Sequence, residues 1–564
     1  MPNLLLLRAY RKSKSGVAYC LIAIATCLVV FNAAAQRREK EQPAPAQPKL
    51  VVGIVVDQMR ADYVYRFWDK FSAGGFRRLV GEGFACRNLH YNYMPTYTGP
   101  GHASIYTGTT PSVHGIVAND WYNRETRSTL YCAEDATVDG VGGGDGKTGK
   151  MSPRNLLAST MTDELRIATR LRGKVVGISL KDRGAILPAG HTPNGAYWFS
   201  EKEGNFITST YYMTDVPTWV RAFNEKQLPQ KYLSEPWNTL LPIAQYTESA
   251  DDDNAFEGTF KGEAKPVFPH DLPAFAKAYN STAPIKATPW GNTIVKDFAL
   301  AALEAEKLGK DEFTDFLAVS FSSTDYVGHQ YGPQSVELED TYLRLDRDLE
   351  EFFNALDKAV GKQNVVVFLT ADHGAAEVPA YLASLRIPSG RFDGDKLQKD
   401  LKEFGRYTRS DSAVWTVMNQ EVYLNPLWED EAFRQKIVTK VRGYAGVANV
   451  WTQEQLSESR FAPTPIGAAF ARGIYPKRSG DIIYNLDPAW LEHGPTGTSH
   501  GTAYSYDTHV PLYFWGWKIQ NGATDTRLDI IDIAPTICAW LNIPFPNGCT
   551  GNPIQGKIRE GMTK

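Results

Sequence analysis

The 564-residue sequence has little cysteine: six residues, two of which (Cys20 and Cys27) fall in an apolar stretch near its start. The other four, Cys86, Cys132, Cys538 and Cys549, include no short CxxC pair, which argues against a four-thiolate zinc site. Charge of neither sign is in excess. The 60 Lys and Arg face 63 Asp and Glu, for a formal charge of −3. Nothing in that balance suggests the basic clustering of a nucleic-acid surface, so no nucleic-acid partner is expected. Internal repeats and long low-complexity tracts are also missing, which leaves out a repeat array. What remains is ordinary globular composition, 43% hydrophobic and 22% charged. That suits one large domain with insertions, or two or three smaller ones.

The first residues read as a targeting segment. Arg8, Arg11, Lys12 and Lys14 precede the apolar run VAYCLIAIATCLVVFNAAA at 17–35, which ends in three alanines. A basic head, an apolar stretch and small residues make a secretory signal over 1–35, cleaved near Ala35, with an uncleaved anchor as the alternative. Residues 36–48, containing QPAPAQP, read as an extended linker. The expected location is periplasmic or secreted, as a monomer with no stable membrane association after cleavage. An oxidising compartment would preserve two disulfides. Sequence proximity favours Cys538–Cys549 and Cys86–Cys132, although four cysteines permit three pairings.

Several short apolar runs end in polar residues. KLVVGIVVD (49–57) closes on Asp57, and KVVGISL (174–180) on Lys181 and Arg183. FLAVSF (316–321) leads to Asp325 and His329, NVVVFLT (364–370) to Asp372 and His373, and VPLYFWG (510–516) resembles a fifth strand. Continuous β-branched runs indicate strands covered on both faces, hence a mostly parallel sheet. Residues 336–361 carry Leu345, Leu349, Phe352 and Leu356 at helical spacing, with Gly361 as the stop. The fold class expected is α/β, a doubly wound, mostly parallel sheet flanked by helices. Aromatics make up 12% of the chain, and many fall in 190–300, as a cap with stacking surface or as core packing.

Seven polar groups thus gather at the carboxyl ends of four strands, where open α/β sheets place ligands. Individually each has a plain reading: Asp57 as a helix cap, Lys181 and Arg183 as surface charges, Asn119 of GIVANDW as a turn residue. Asp325 and His329, four apart, share one face of a helical turn. For a further ligand, His500 of GTSHGTAYSYDTHVPL is preferred to His493 and His509, since Gly501 opens access to it. Asp57, Asp325, Asp372, His329, His373 and His500 exceed the needs of one tetrahedral zinc and suit two divalent ions. Two such ions about 3.5–4 Å apart clamp an in-line displacement at phosphorus. Thr98 of NYMPTYTGPGH is then either a helix cap or, beside an ion, a nucleophile at a helix N-terminus.

In order, Asp57, TYTGPGH, SLKDRG, STDYVGH, TADHG and TSHG resemble the alkaline phosphatase superfamily over roughly 48–555. The likeness is to its secreted single-chain branch with a Thr nucleophile, near the phosphate-irrepressible alkaline phosphatases of Bacteroidota. It implies a catalytic domain over 49–560, with insertions at about 185–300 and 376–497, and two Zn2+ per chain. One zinc would be held by Asp325, His329 and His500. The other would be held by Asp57, Asp372 and His373, with Thr98 at its open position. Thr98 would form a covalent phosphothreonine, while Asn119, Lys181 and Arg183 bind the non-bridging oxygens of small phosphate esters. The activity implied is a phosphomonoesterase of broad range. The alternative is a phosphodiesterase or nucleotide pyrophosphatase on the same two-zinc scaffold. A sulfatase would need a Cys or Ser in a C/S-x-P-x-R context, which this stretch lacks.

Overall fold

Strand β1 (Leu50–Val56) is buried at all its positions. Such a strand has to lie inside a sheet covered on both faces. The computed structural model, which describes residues 47–144, 146–458, 464–556 and 558–559, bears this out. The other long strands of the main sheet are β2 (Phe84–His90), β3 (Val175–Ser179), β4 (Gly195–Ser200) and β5 (Asn205–Ser209). With them run β6 (Asp315–Phe321), β7 (Val365–Thr370) and β8 (His509–Gly516). In space the order is β2-β8-β7-β1-β6-β3-β4-β5, extended by short edge segments to eleven strands. Neighbours among β7, β1, β6, β3 and β4 pair parallel. β8 and β5 pair antiparallel with their neighbours, so the sheet is mixed outside its parallel centre. An apolar run reports burial, not direction, which is why 510–516 reads as one more strand of the same kind.

Register sets the site. Val56 of β1 lies opposite Phe321 of β6, and Val55 opposite Thr370 of β7. Asp57, Asp325 and Asp372 therefore leave three adjacent strands at one level. Four helices matter here: α1 (Thr98–Thr107), α2 (Asp182–Ala189), α3 (Ser323–Tyr331) and α4 (Val336–Ala359). The 24-residue α4 is started by Ser335, whose side chain accepts the Leu338 N–H at 3.2 Å. Its stripe of Leu345, Leu349, Phe352 and Leu356 is at most 1% exposed, and Gly361 follows in the left-handed region, φ 92°. α1 is buried at every residue, so it runs through the core instead of lying over it.

A second, antiparallel sheet joins Val414–Met418, Glu421–Leu424, Ile482–Leu486 and Val447–Thr452 in that order. It has its own apolar core, including Leu397, Phe433 and Ile437. Most large aromatics of 190–300 are packing residues: Trp198 and Trp237 are buried, and Phe206 stacks on Phe298 at 4.0 Å. The disulfide expectation is not met, because Cys86, Cys132, Cys538 and Cys549 are free thiols. Cys86 and Cys132 belong to different apolar clusters, so closeness in sequence does not bring them together. Residues 1–46, with the signal, most of the linker, Cys20 and Cys27, lie outside the described residues. Among the described residues no helix is long and apolar enough to cross a membrane.

Candidate active site

Thr98 is the first residue of α1, and Tyr97 takes the N-cap without a capping side-chain bond. The cap reading of Thr98 is therefore corrected. Thr98 is 1% exposed, and its hydroxyl, free of capping, is faced by two cations. Lys181 Nζ lies 3.4 Å from Thr98 Oγ1 and Arg183 Nη2 lies 3.5 Å from it. Gly99 N donates to Asn119 Oδ1 at 2.8 Å, which leaves the amide nitrogen of Asn119 unused by that bond. Gly101 lets the first turn of α1 sit directly on the Asp372 backbone. A Cβ there would fall 2.4 Å from the Asp372 carbonyl oxygen.

Around this hydroxyl stand the carboxylates and imidazoles. His373 Nε2 is 3.5 Å from Asp57 Oδ1 and 3.6 Å from Asp372 Oδ2. All three atoms are buried and lack a hydrogen-bond partner. Two carboxylate oxygens and an imidazole nitrogen, buried and unpartnered within reach of one another, are able to hold a cation. On the other side, Asp325 Oδ1 is 3.1 Å from His329 Nε2 and 3.6 Å from His500 Nε2. The rings of His373 and His500 stack at 3.5 Å, so Asp325, His373 and His500 form a second triplet with atoms within 4.8 Å. His373 thus borders both halves, whereas the sequence pattern assigns it to one.

The imidazoles are oriented from behind. Each presents Nδ1 to a backbone carbonyl: His329 to Thr498 at 2.8 Å, His373 to Gly374 at 3.0 Å, and His500 to Thr96 at 2.7 Å. With Nδ1 as the donor, Nε2 keeps its lone pair, as a metal ligand requires. Burial pushes His373 down to about 3 and, with His373 and His329 alongside, His500 well below the usual histidine range. Both are neutral. Burial and the neighbouring Asp57 push Asp372 well above the usual carboxylate range, a clash that a bound divalent ion relieves. The residues present fit two divalent cations.

Lys181 ties the halves together, 2.8 Å from Asp57 Oδ2 and 2.6 Å from Asp325 Oδ2. Burial disfavours its charge, but Asp325 and Asp57 outweigh that and hold it above the ordinary lysine value. Sequence reasoning missed Gln58, whose side chain donates to Asp325 at 2.7 Å and whose backbone N–H donates to Asp372 at 3.1 Å. Its φ of 62° is rare for a residue with a side chain, and Gly328 leaves the space it fills. His102 was missed too. It is wedged among Thr98 O, Ser320 Oγ and Asp372, and burial pushes it down to about 4. Of the competing histidines, His493 stacks on His329 at 5.8 Å, and His509 opens β8 against His90.

Two openings reach the site. A cavity of about 300 Å3 next to His500 is walled by Tyr97 and by Asn419 and Gln420 of the second sheet. Another, about 260 Å3, lies beside Lys181 and Arg183 under Tyr326, Trp198 and Phe199.

Residues 51–508 match the family described as type I phosphodiesterase / nucleotide pyrophosphatase. The chain belongs to that family. Within it, the chain is 45% identical to alkaline phosphatase PafA of Elizabethkingia meningoseptica, across 91% of this chain and 94% of that one. It is also 45% identical to alkaline phosphatase PhoV of Synechococcus elongatus, across 94% and 98%. A protein of Myroides odoratus named as a calcium-transporting ATPase is 46% identical, across 91% and 95%. The crystal structure of wild-type PafA superposes with a TM-score of 0.88 at 44% identity, covering 92% of this chain and all of that one. This agrees with the α/β fold and with a phosphomonoester hydrolase.

Proposed function

We propose that this member of the phosphodiesterase family is an alkaline phosphatase, hydrolysing phosphate monoesters of broad range through Thr98. The observation that carries the reading is the convergence of Lys181 and Arg183 on the Thr98 hydroxyl, in front of two carboxylate–imidazole triplets able to hold a cation. The names of the relatives, PafA and PhoV, support the reaction class. A monoester dianion carries a charge of about −2, and this site gathers fixed positive charge against it.

One Zn2+ would be held by Asp325, His329 and His500, the other by Asp57, Asp372 and His373 with Thr98 at its open position. Together they would supply the positive charge that lowers the pKa of a hydroxyl and neutralises phosphoryl oxygens. The chain's own residues do the rest. Lys181 and Arg183 hold positive charge against Thr98 Oγ1 and favour its deprotonated form. Thr98 Oγ attacks phosphorus in line, the bond to the leaving oxygen breaks, and a phosphothreonine forms while the alcohol takes a proton. Water then displaces Thr98 and releases phosphate. Asn119, Lys181 and Arg183 contact the non-bridging oxygens, and the cavity beside His500 receives the leaving group. The leader-like residues 8–35 support export to the periplasm or the medium.

The test compares kcat/KM for an aryl phosphate monoester and its methyl diester, in the intact enzyme and in Lys181→Ala. The monoester should be preferred, and Lys181→Ala should cost it about 10²–10³-fold, as loss of one charge-stabilising donor does, while sparing the diester. A diester preference indifferent to Lys181 would overturn the monoesterase assignment in favour of a phosphodiesterase. Thr98→Ala turning over at the parent rate would overturn the covalent route.

A further inference from the structure

The Arg183 guanidinium has three nitrogens, and the structure gives each a different fate. Nη1 donates to the phenolic oxygen of Tyr131 at 2.8 Å. Nη2 faces Thr98 Oγ1 at 3.5 Å. Nε is buried and has no partner. In a planar guanidinium Nε–H and one Nη2–H point the same way and form one edge of the fork, with Nη1 on the far side. The edge turned toward the nucleophile is thus the one with free donors.

Tyr131 keeps it so. It ends the second strand of a hairpin, Asp120–Asn123 paired with Ser128–Tyr131. Its hydroxyl donates to Asp182 Oδ1 in a short bond and accepts from Arg183 with the lone pair left over. Asp182 also accepts the Arg183 backbone N–H at 2.5 Å, so it braces both ends of the arrangement. Burial and Asp182 keep the phenol protonated despite the adjacent guanidinium. The same hairpin fixes Asn119: the Cys132 N–H donates to the Asn119 carbonyl at 2.8 Å.

We infer that Tyr131, braced by Asp182, is a positioning residue that holds Arg183 by Nη1 and turns its Nε–Nη2 edge onto two non-bridging oxygens of the substrate. The inference rests on the phosphoryl-contact reading of Arg183 given above. It adds a source of selectivity. A fork that grips two oxygens suits a monoester, which offers three unesterified ones. A diester offers two, and seating both ester groups costs it that grip.

The experiment measures kcat/KM for the aryl monoester and its methyl diester, and inhibition by inorganic phosphate. The proteins are the parent, Tyr131→Phe, Asp182→Asn, Arg183→Ala and Tyr131→Phe/Arg183→Ala. Tyr131→Phe should lower monoester kcat/KM about 10-fold, the scale of one hydrogen bond to a charged group, and weaken phosphate inhibition alike. Asp182→Asn should do the same in smaller measure, and the diester should barely change in either. On the Arg183→Ala background the Tyr131 substitution should add nothing. Equal losses on both substrates, or full multiplication in the double variant, would overturn the proposal by marking Tyr131 as merely structural. Parental monoester activity in Arg183→Ala would overturn it together with the reading beneath it. A large Arg183→Ala defect beside an unaffected Tyr131→Phe would overturn it alone.

Discussion

Replacing Gly101 by Ala separates the fit of α1 from its intrinsic stability. In a helix away from contacts, Ala is favoured over Gly by about 0.8–1.0 kcal/mol, so the substitution would normally stabilise. Here the new Cβ would lie 2.4 Å from the Asp372 carbonyl oxygen, 2.8 Å from Asp372 Cβ and 3.0 Å from its carbonyl carbon. Ordinary contact begins near 3.4 Å, so the helix or the Asp372 turn has to give by about 1 Å (3.4 − 2.4). The obstacle is backbone and cannot swing aside. Overpacking of this kind costs about 1–3 kcal/mol, which outweighs the helix term. The turn carries the candidate ligands Asp372 and His373, and the helix carries Thr98. A relative shift of about 1 Å between reacting groups costs on the order of 10²-fold in rate. Gly101→Ala should therefore lower kcat/KM for an aryl phosphate about 100-fold and lower Tm. Gly81→Ala is the control, because Gly81 lies in the helix Phe76–Glu82 with nothing within 4 Å of the added Cβ; it should keep parental kcat/KM. A Gly101→Ala enzyme with parental kcat/KM, or with a raised Tm, would refute the reasoning.

Leu349 is 0% exposed at the middle of α4, and Leu349→Ala should cost about 2–5 kcal/mol in urea unfolding with kcat per folded enzyme unchanged. Stability should also fall with rising pH through a buried cluster of one histidine and two carboxylates. His270 Nδ1 is 2.7 Å from Glu263 and Nε2 is 3.1 Å from Glu337. Burial opposes its charge, yet the two carboxylates outweigh burial and raise it from 6.5 to about 9. A pKa higher in the folded state gives stability that is complete below pH 6.5 and lost as pH climbs to 9. Glu337, raised from 4.5 to about 7 chiefly by burial, gives its own decline at lower pH, nearly complete by about pH 7. Tm measured across pH 6.5 to 9 should drop, and His270→Gln should flatten the slope; a slope unchanged in that variant would sink the assignment.

The legible part of the fold is the part carried by local pattern. Five apolar runs and the stripe of α4 appear where expected, because burial on two faces or one stripe writes itself into consecutive residues. The direction of β8 was not legible, since it depends on how the chain returns from the second sheet. At the site, residue types at strand ends named the groups that the sheet brings together. The cap alternative for Thr98 comes from the neighbouring Gly99 and Pro100, which look like a capped start, while Tyr97 occupies the cap without using its side chain. Gln58, Tyr131 and Asp182 left no signal beyond adjacency to a candidate. Their importance lies in partners such as Asp325, 267 residues from Gln58, or Arg183, 52 residues from Tyr131. Cys86 and Cys132 show the same limit from the other side, where nearness along the chain does not bring two residues into one apolar cluster.

The phosphoryl-facing groups are rooted in the central strands and the nucleophile helix, but Asn419 and Gln420, on the wall of the His500 cavity, come from the separate antiparallel sheet. On the proposed reading, in which that cavity receives the leaving group, chemistry and choice of leaving group sit on different scaffolds within one chain. Exchange of that smaller sheet between homologues would then swap substrate preference as a cassette, with the bond-breaking apparatus inherited intact.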